Sequence, residues 1–287
     1  MLSDKKIKEI LEQQKLAPKK RFGQNFLVNS NISEKIVKLA GIQPDDTIIE
    51  LGIGFGALTS YLALTCKKVI GLEIDSGIIR YHKEEGSLPE NVTLMHQDIL
   101  QINYAKLAEE SGGRLKIIAN LPYSISNPLL FKLTEHKDNM EWAVLMLQKE
   151  VAQRLTAATG TKDYGILTVR MASCASVKKL LELGPQHFHP RPKVDSRVVK
   201  ITFFPEPERA VVLPDYDQEL FEKIVRAAFQ QRRKTLINAL SSANLVGADK
   251  KTIADSLEKL GLDSRIRGER LNVEEYVALT NILQQWQ

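Results

Sequence analysis

Short apolar runs alternate with stretches of helical periodicity through the first two thirds of the chain. The apolar runs cover residues 47–51, 68–74, 92–96, 115–119 and 141–147. Between them, apolar residues recur every three or four positions, which is typical of helices that cover a sheet. This alternation predicts an α/β fold with buried parallel strands. Two further runs, 176–183 and 196–203, are predicted to form antiparallel strands at the sheet edge.

The alternation stops after residue 204. Residues 205–208 (Pro-Glu-Pro-Glu) are typical of a linker. The segments with helical periodicity beyond it are 215–230, 232–243, 249–260 and 272–285. We therefore predict a domain at residues 1–204, which begins with a basic arm at 1–22, and a small all-α domain at residues 205–287. Within the arm, a predicted helix at 3–16 carries Ile7, Ile10 and Leu11 on one face.

Three predicted strands end in residues that suit a nucleoside. The first runs into Gly52-Ile53-Gly54-Phe55-Gly56, a turn that lets the backbone approach a ligand closely. Glu73 ends the next strand, where an acid binds the hydroxyls of a ribose. Asp75 lies nearby, but it also suits the cap of a helix that starts at Ser76. Asp98 follows the third strand and can accept a hydrogen bond from an adenine amino group.

The same region argues against a ligand with phosphate groups. The glycine spacing is G-x-G-x-G and not the G-x-G-x-x-G of dinucleotide sites. Glu50 at the end of its strand would repel a pyrophosphate, and these strand ends carry no lysine or arginine to bind one. S-adenosylmethionine, a nucleoside with an amino-acid tail and a sulfonium group, therefore fits better than NAD or ATP.

Residues 120–123 (Asn-Leu-Pro-Tyr) follow the fourth strand and suit a target adenine. The base can stack on Tyr123, while Asn120 Oδ1 and a carbonyl of the Leu121-Pro122 segment accept both hydrogens of its exocyclic amine. Two acceptors localise the lone pair of that nitrogen, which makes it a better nucleophile without a general base. The alternative interpretation is a strand end followed by a proline turn.

Residues 188–196 connect the two predicted edge strands, and two prolines stiffen this connector. We predict that Phe188 closes the other side of a base stacked on Tyr123, as flipped nucleotides are usually held. The alternative is that Phe188 fills the core under the edge strands. His187 and His189 have no third ligand nearby, so no metal site is predicted.

Three groups of cations are predicted to contact a phosphate backbone. They are Lys19, Lys20 and Arg21 in the arm, Arg191, Lys193 and Arg197 in or beside the connector, and Arg232, Arg233 and Lys234 in the helical domain. The alternative is that such charges are solvated or paired with surface acids.

Composition narrows the class of protein. A chain of 287 residues with 43% hydrophobic content can bury a sizeable core, and its net charge of +5 only hints at a polyanionic partner. No apolar run approaches the about 20 residues of a membrane span, and the charged start of the chain is not typical of a signal peptide. Cys66 and Cys174 lack metal-binding spacing, which favours a reducing, cytoplasmic location.

In their order along the chain, these motifs resemble the ribosomal RNA adenine dimethyltransferases, and most closely the bacterial members that act on the small subunit. The matching segments are 24–27, 50–59, 120–123, 188–196 and 229–236, with Glu73 and Asp98. The resemblance implies a Rossmann-like class I fold that uses S-adenosylmethionine, followed by the small all-α domain. One departure is Ser124, where many members have asparagine.

The resemblance also implies roles for individual residues. The implied cofactor contacts are Asn25, Leu27, Gly52, Glu73, Asp98 and Asn120. The implied catalytic residues are Asn120, Leu121, Pro122, Tyr123 and Phe188. The family transfers four methyl groups to two adjacent adenines near the 3′ end of 16S rRNA, on an immature small ribosomal subunit. A monomer without a metal or a membrane partner is expected.

Three other functions are compatible with parts of this pattern. A related enzyme that methylates one adenine of 23S rRNA and gives macrolide resistance shares the pocket, although residues 229–236 point away from it. DNA adenine and protein glutamine methyltransferases typically have proline where this chain has Leu121. The third is a ribosome-assembly factor that acts mainly by binding the immature subunit, a role that can coexist with methylation.

Overall fold

The computed structural model describes residues 4–13, 24–86, 88–204, 213–243 and 249–286. Its strands are β1 (Phe26–Leu27), β2 (Thr47–Leu51), β3 (Lys68–Glu73), β4 (Val92–His96), β5 (Leu115–Asn120), β6 (Met140–Gln148), β7 (Ala175–Leu183), β8 (Phe188–His189) and β9 (Ser196–Phe203). Its α-helices are α1 (Asp4–Gln13), α2 (Ser30–Ala40), α3 (Thr59–Thr65), α4 (Ser76–Glu85), α5 (Tyr104–Glu110), α6 (Ser126–Glu135), α7 (Lys149–Leu155), α8 (Ile166–Cys174), α9 (Gln218–Gln230), α10 (Leu236–Ser242), α11 (Lys250–Lys259) and α12 (Val273–Gln284).

Seven strands form one mainly parallel sheet in the order β4-β3-β2-β5-β6-β9-β7. The first five run parallel to their neighbours, whereas β9 is antiparallel to β6. The chain moves outward from β2 to β4 and then returns to β5 on the other side of β2. Open α/β sheets bind ligands at such a reversal, outside the carboxyl ends of the strands. The predicted α/β fold is confirmed.

The central strands are buried on both faces, which explains their continuous apolar sequence. In β2, Ile48, Ile49 and Leu51 are fully buried, and so are Ile117 and Ile118 of β5. Parallel strands that helices cover on both faces have this composition. Each such side chain contributes about 1.5–3 kcal/mol of transfer free energy, so the core fixes the position of every strand end.

Helix α1 confirms its predicted apolar face. Ile7, Ile10 and Leu11 are all buried, in one cluster with Phe26 and Phe55. Phe55 belongs to the glycine turn after β2, so α1 packs on the segment that is predicted to hold the cofactor.

The chain divides into two compact units, and the division differs from the predicted domains in one segment. The units comprise Met1–Ala152 with Ser176–Glu206, and Gln153–Ala175 with Pro207–Gln287. Residues 153–175, predicted to lie in the first domain, thus belong to the helical unit. Tyr164 and Val169 of this segment are buried in the core of the helical unit, and the Tyr164 hydroxyl donates to the Leu271 carbonyl at 2.7 Å.

Arg232 holds the same segment to the C-terminal helices. Its guanidinium donates to the carbonyls of Lys162 (2.9 Å) and Tyr164 (3.2 Å) and pairs with Glu269 at 3.0 Å. These contacts give Arg232 a structural role in the helical unit, while its predicted phosphate contact stays a prediction. The following helix begins at Leu236 and not at 232, since the Thr235 side chain caps its first turn.

We predict that Arg232→Ala lowers the free energy of unfolding by about 1 kcal/mol. The change removes the hydrogen bonds that this half-exposed side chain donates to four partners, which are Thr161, Lys162, Tyr164 and Glu269. Arg233→Ala is the matched control, since the neighbouring Arg233 is exposed. Thermal and urea unfolding of both variants measure the effect. Equal stability of the two variants would show that the Arg232 contacts do not stabilise the unit.

Candidate active site

A cavity of about 220 Å³ opens at the carboxyl ends of β2, β3, β4 and β5. Among the residues that line it are Asn25, Leu27, Gly52, Glu73, Asp98 and Asn120, all of the predicted cofactor contacts. Leu121 and Pro122 line it as well. The sequence motifs that lie far apart along the chain therefore meet in one cavity. Whether each residue contacts a cofactor stays a prediction.

The glycine turn after β2 lines part of this cavity. Gly52 and Gly54 have φ angles of +75° and +52°, a region that residues with a Cβ rarely adopt. A Cβ on Gly52 would also lie 3.0 Å from Leu121 Cδ2. The turn therefore needs glycine for its backbone conformation and for its close approach to the segment that follows β5.

Glu73 is held in place by three backbone donors. Its Oε2 accepts from Gly54 N at 3.1 Å, and its Oε1 accepts from Ile74 N and Asp75 N at 2.9 Å. Burial raises the pKa of this carboxyl, while the three backbone bonds oppose the rise. Asp75 caps α4 by accepting from Gly77 N, which confirms the alternative role given to it from the sequence.

His82 is a contact of the glycine turn that the sequence analysis missed. It lies on α4, is buried, and donates from Nε2 to the Gly54 carbonyl at 2.7 Å. Burial lowers the pKa of the imidazole, which favours the neutral ring. The peptide units around Gly54 are thus held on one side by His82 and on the other by Glu73. No local motif marks this contact, because 28 positions separate the two residues.

Glu50 is a second buried acid at the cavity. It is 2% exposed, and Thr59 Oγ1 donates to its Oε2 at 2.7 Å. Burial raises the pKa of Glu50 to about 8, and the nearby charge of Glu73 adds to the rise, while the Thr59 hydrogen bond opposes it. A cationic ligand in this cavity would favour the ionised form of both carboxyls, because a nearby positive charge lowers the pKa of a carboxyl.

Asn120 stands at the end of β5 with its amide oriented by a hydrogen bond. Its Nδ2 donates to the Asn25 carbonyl at 3.3 Å. With the nitrogen placed there, Oδ1 remains as the acceptor of the amide. Asn25 therefore has a second role beside its predicted cofactor contact, because it fixes which atom of Asn120 is available to a substrate.

Tyr123 begins a short 3₁₀ turn, Tyr123–Ile125, directly after Pro122. Its hydroxyl lies 2.5 Å from Ser196 Oγ, and the two hydroxyls are hydrogen-bonded. Burial raises the pKa of Tyr123, while the bond to Ser196 opposes the rise. The ring is half-buried, in agreement with a residue that offers one face to a ligand.

Phe188 lies in the core and not at an open face. The side chain is 1% exposed and belongs to an apolar cluster that also contains Leu27 and Val198. In the two-stranded sheet of β1 and β8, Phe188 stands opposite Leu27. This burial agrees with the alternative, a core residue under the edge strands, while the stacking of Phe188 on a base stays a prediction.

The remaining predicted cations differ in their surroundings. Arg191 and Lys193 are exposed on the connector, and Arg233 and Lys234 are exposed in the helical unit. Arg197 instead pairs with Glu182 at 3.1 Å and its side chain is only 16% exposed, which agrees with the alternative of a charge paired with an acid. Lys19, Lys20 and Arg21 lie outside the described residues.

The residues that line the cavity suit a nucleoside that carries positive charge. None of the described residues that line it is lysine or arginine, and its walls are largely apolar, with Ile53, Leu72 and Ile99 among them. Carboxylates stand where ribose hydroxyls or an amino group would bind. S-adenosylmethionine has these features, and a polyphosphate does not.

Within the described residues, no group of three or more histidine, cysteine, aspartate or glutamate side chains is arranged to hold a metal ion. In the same part of the chain, no helix has both the length and the apolar character needed to cross a bilayer.

The fold and this cavity are those of a class I methyltransferase, and comparison with known proteins gives the family. The chain belongs to the ribosomal RNA adenine dimethylase family, whose model matches residues 15–285. Two curated relatives share the name Ribosomal RNA small subunit methyltransferase A. The protein from Desulfotalea psychrophila is 51% identical over 282 residues, which cover 96% of this chain and 94% of the relative. The protein from Alkaliphilus metalliredigens is 41% identical over 98% of this chain and 96% of the relative.

Solved structures show the same fold. A dimethyladenosine transferase from Plasmodium falciparum superposes with a TM-score of 0.74 and 27% identity, covering 91% of this chain and 98% of that one. The 23S rRNA methyltransferase ErmE superposes with a TM-score of 0.66 and 23% identity, covering 91% of this chain and all of ErmE. The likeness to ErmE shows the fold alone.

We predict that Glu50→Gln changes the pH dependence of stability. Below the ordinary pKa of 4.5, Glu50 is protonated in the folded and unfolded states alike, so the contribution of this group to the free energy of unfolding is fully present. Between 4.5 and about 8 only the folded protein holds the proton. The free energy of unfolding therefore falls as pH rises, by at most about 1.4 kcal/mol per unit from this group.

Because glutamine does not titrate, the stability of the variant increases relative to that of the natural protein as pH rises. Urea unfolding of both proteins at about pH 5.5 and 7.5 should show a relative gain of up to about 2 kcal/mol for the variant. A stability difference that stays constant over this range would contradict the raised pKa of Glu50.

Proposed function

We propose that the protein uses S-adenosylmethionine to dimethylate the N6 amines of two adjacent adenosines in the 3′-terminal hairpin of 16S rRNA, on the immature small ribosomal subunit. The observation that carries this proposal is Asn120, whose amide nitrogen is bound by Asn25 so that its oxygen is left as an acceptor beside the cavity. The names of the relatives support the choice of the small subunit.

The proposed cofactor contacts bind different chemical groups of S-adenosylmethionine. Glu73 suits the ribose hydroxyls, Asp98 suits the adenine amino group, and the Gly52 turn lets the backbone approach the amino-acid tail. Asn25 and Leu27 close the side formed by β1. When bound, S-adenosylmethionine supplies a methyl group on a positively charged sulfur.

The proposed role of residues 120–123 is to position and activate the target amine. Asn120 Oδ1 and a backbone carbonyl of the Leu121-Pro122 segment accept its two hydrogens, while Tyr123 supports the base. Positioning of this kind provides most of the rate enhancement when no general base is needed. After the transfer the proton can pass to water, and the pocket needs room for the first methyl while the second is added.

The proposed RNA contacts include four of the cations predicted from the sequence, which are exposed and have no ion pair within the described residues. They are Arg191 and Lys193 on the connector and Arg233 and Lys234 in the helical unit. Lys19, Lys20 and Arg21 are retained in this proposal on their sequence alone. Contacts of this kind favour binding to a preformed RNA shape, in agreement with an additional role in subunit assembly.

We predict that Asn120→Ala lowers kcat for methyl transfer by about 10²–10³, because it removes an acceptor that acts on the reacting nitrogen. Asn127→Ala is the matched control, since Asn127 is an exposed asparagine on the helix that follows. Transfer of labelled methyl groups to small subunits that lack the modification measures both variants. Full activity of Asn120→Ala would contradict the proposed site.

Subunit binding by the same Asn120→Ala protein separates catalysis from assembly. We expect it to bind unmodified subunits as tightly as the natural protein does, because Asn120 is not one of the proposed cationic contacts. Sedimentation with small subunits measures this. Loss of binding together with activity would show that the two roles cannot be separated at this residue.

We predict that the double variant Arg191→Ala/Lys193→Ala binds small subunits more weakly and with a smaller salt dependence. Each phosphate contact that is lost reduces the slope of log K against log salt concentration by about 0.7–0.9. Lys106→Ala is the control, because Lys106 pairs with Glu110 on a surface helix. An unchanged slope would remove the connector from the RNA-binding surface.

A further inference from the structure

We propose that Ser196 is a positioning residue for Tyr123 and thereby for the target base. The observation is the hydrogen bond of 2.5 Å between the two hydroxyls, across 73 positions of the chain. The inference rests on the proposed function, in which the target base lies on Tyr123. Ser196 itself is completely buried, so it acts through the tyrosine and does not touch the substrate.

Ser196 is suited to this task because it stands on a rigid element. It is the first residue of β9 and pairs with Gln148 at the end of β6. The residue before it, Asp195, accepts a hydrogen bond from Lys149 N at 3.0 Å. The serine hydroxyl is therefore held by the sheet, whereas Tyr123 lies on a short turn after a proline.

The bond fixes the ring of Tyr123 at both ends. A tyrosine side chain rotates about two bonds, and rotation about Cα–Cβ swings the whole ring to a new position. When the hydroxyl is also anchored, this rotation is restricted, so the long axis of the ring keeps one direction and the ring stays in one place beside the cavity. Since a misplacement of about 1 Å can reduce an enzymatic rate strongly, loss of the anchor should affect catalysis more than cofactor binding.

A nearby serine provides a matched control. Ser126 is equally buried, at 1% exposed, and follows Tyr123 by three residues. Its Oγ has no hydrogen-bond partner within the described part of the chain. Ser126→Ala therefore shows how far a serine-to-alanine change in this region alters kcat when the hydrogen bond of Tyr123 is kept.

The experiment compares Ser196→Ala, Tyr123→Phe, the double variant and Ser126→Ala in methyl transfer to unmodified small subunits. Each of the first two changes removes the same hydrogen bond, so we expect each to lower kcat about three- to ten-fold. The double variant should be no slower than either single one, and Ser126→Ala should match the natural protein. The KM for S-adenosylmethionine should stay within about two-fold throughout.

Several results would overturn the proposal. They are an unchanged kcat in Ser196→Ala, additive losses in the double variant, and a loss that appears only in the KM for S-adenosylmethionine. Transfer by the natural protein to 23S rRNA instead of small subunits would refute the proposed function. The ratio of kcat between each variant and the natural protein, measured on 23S rRNA, would then test the role of Ser196. No transfer to any RNA would overturn both.

Discussion

The parallel pairing of three buried strands, β2, β3 and β5, is the constraint on which the site depends. Hydrogen bonds place Leu51 of β2 beside Leu72 of β3 and Ala119 of β5, so these strands end at one edge of the sheet. The residue at or after each end then faces the same cavity, as Gly52, Glu73 and Asn120 do. The apolar core thus does the positioning, and only a few polar residues need to be specified at the strand ends.

Electrostatics at this edge favours a cation without phosphate. Glu50 and Glu73 are both buried, and burial raises the pKa of each carboxyl. The backbone donors around Glu73 and the Thr59 hydroxyl on Glu50 offset part of that cost. A positively charged ligand further reduces the cost of burying an ionised carboxylate, whereas a phosphate would increase that cost. His82 holds the turn between these acids as a largely neutral group, so it adds little charge of its own.

Much of the fold and of the cavity is encoded locally and was predicted from the sequence. The five parallel strands lie within a few residues of their predicted bounds, and the acids and glycines at their ends line the cavity. These features follow from hydrophobic runs and from residues directly adjacent to them. The orientation of Asn120 was not predictable, because it depends on the Asn25 carbonyl, 95 positions away.

The contacts that the sequence does not indicate share one cause, which is a partner distant in sequence. Arg232 and Arg197 have the composition of phosphate ligands, but Glu269 and Glu182 reach them in the folded chain. Residues 153–175 were assigned to the first domain because nothing local indicates that they pack in the helical unit. Phe188 was predicted at an open face, yet its strand pairs with β1 and turns the ring into the core.

We propose that this edge of the sheet presents the amines of two adjacent adenosines for dimethylation. The most direct test of this proposal is mass analysis of nuclease-digested 16S rRNA after small subunits that lack the modification react with the protein and S-adenosylmethionine. We expect dimethyladenosine at two adjacent positions in the 3′-terminal hairpin and none in 23S rRNA or duplex DNA treated in parallel. Dimethyladenosine in 23S rRNA alone, or no methylated adenosine in any of the three, would contradict it.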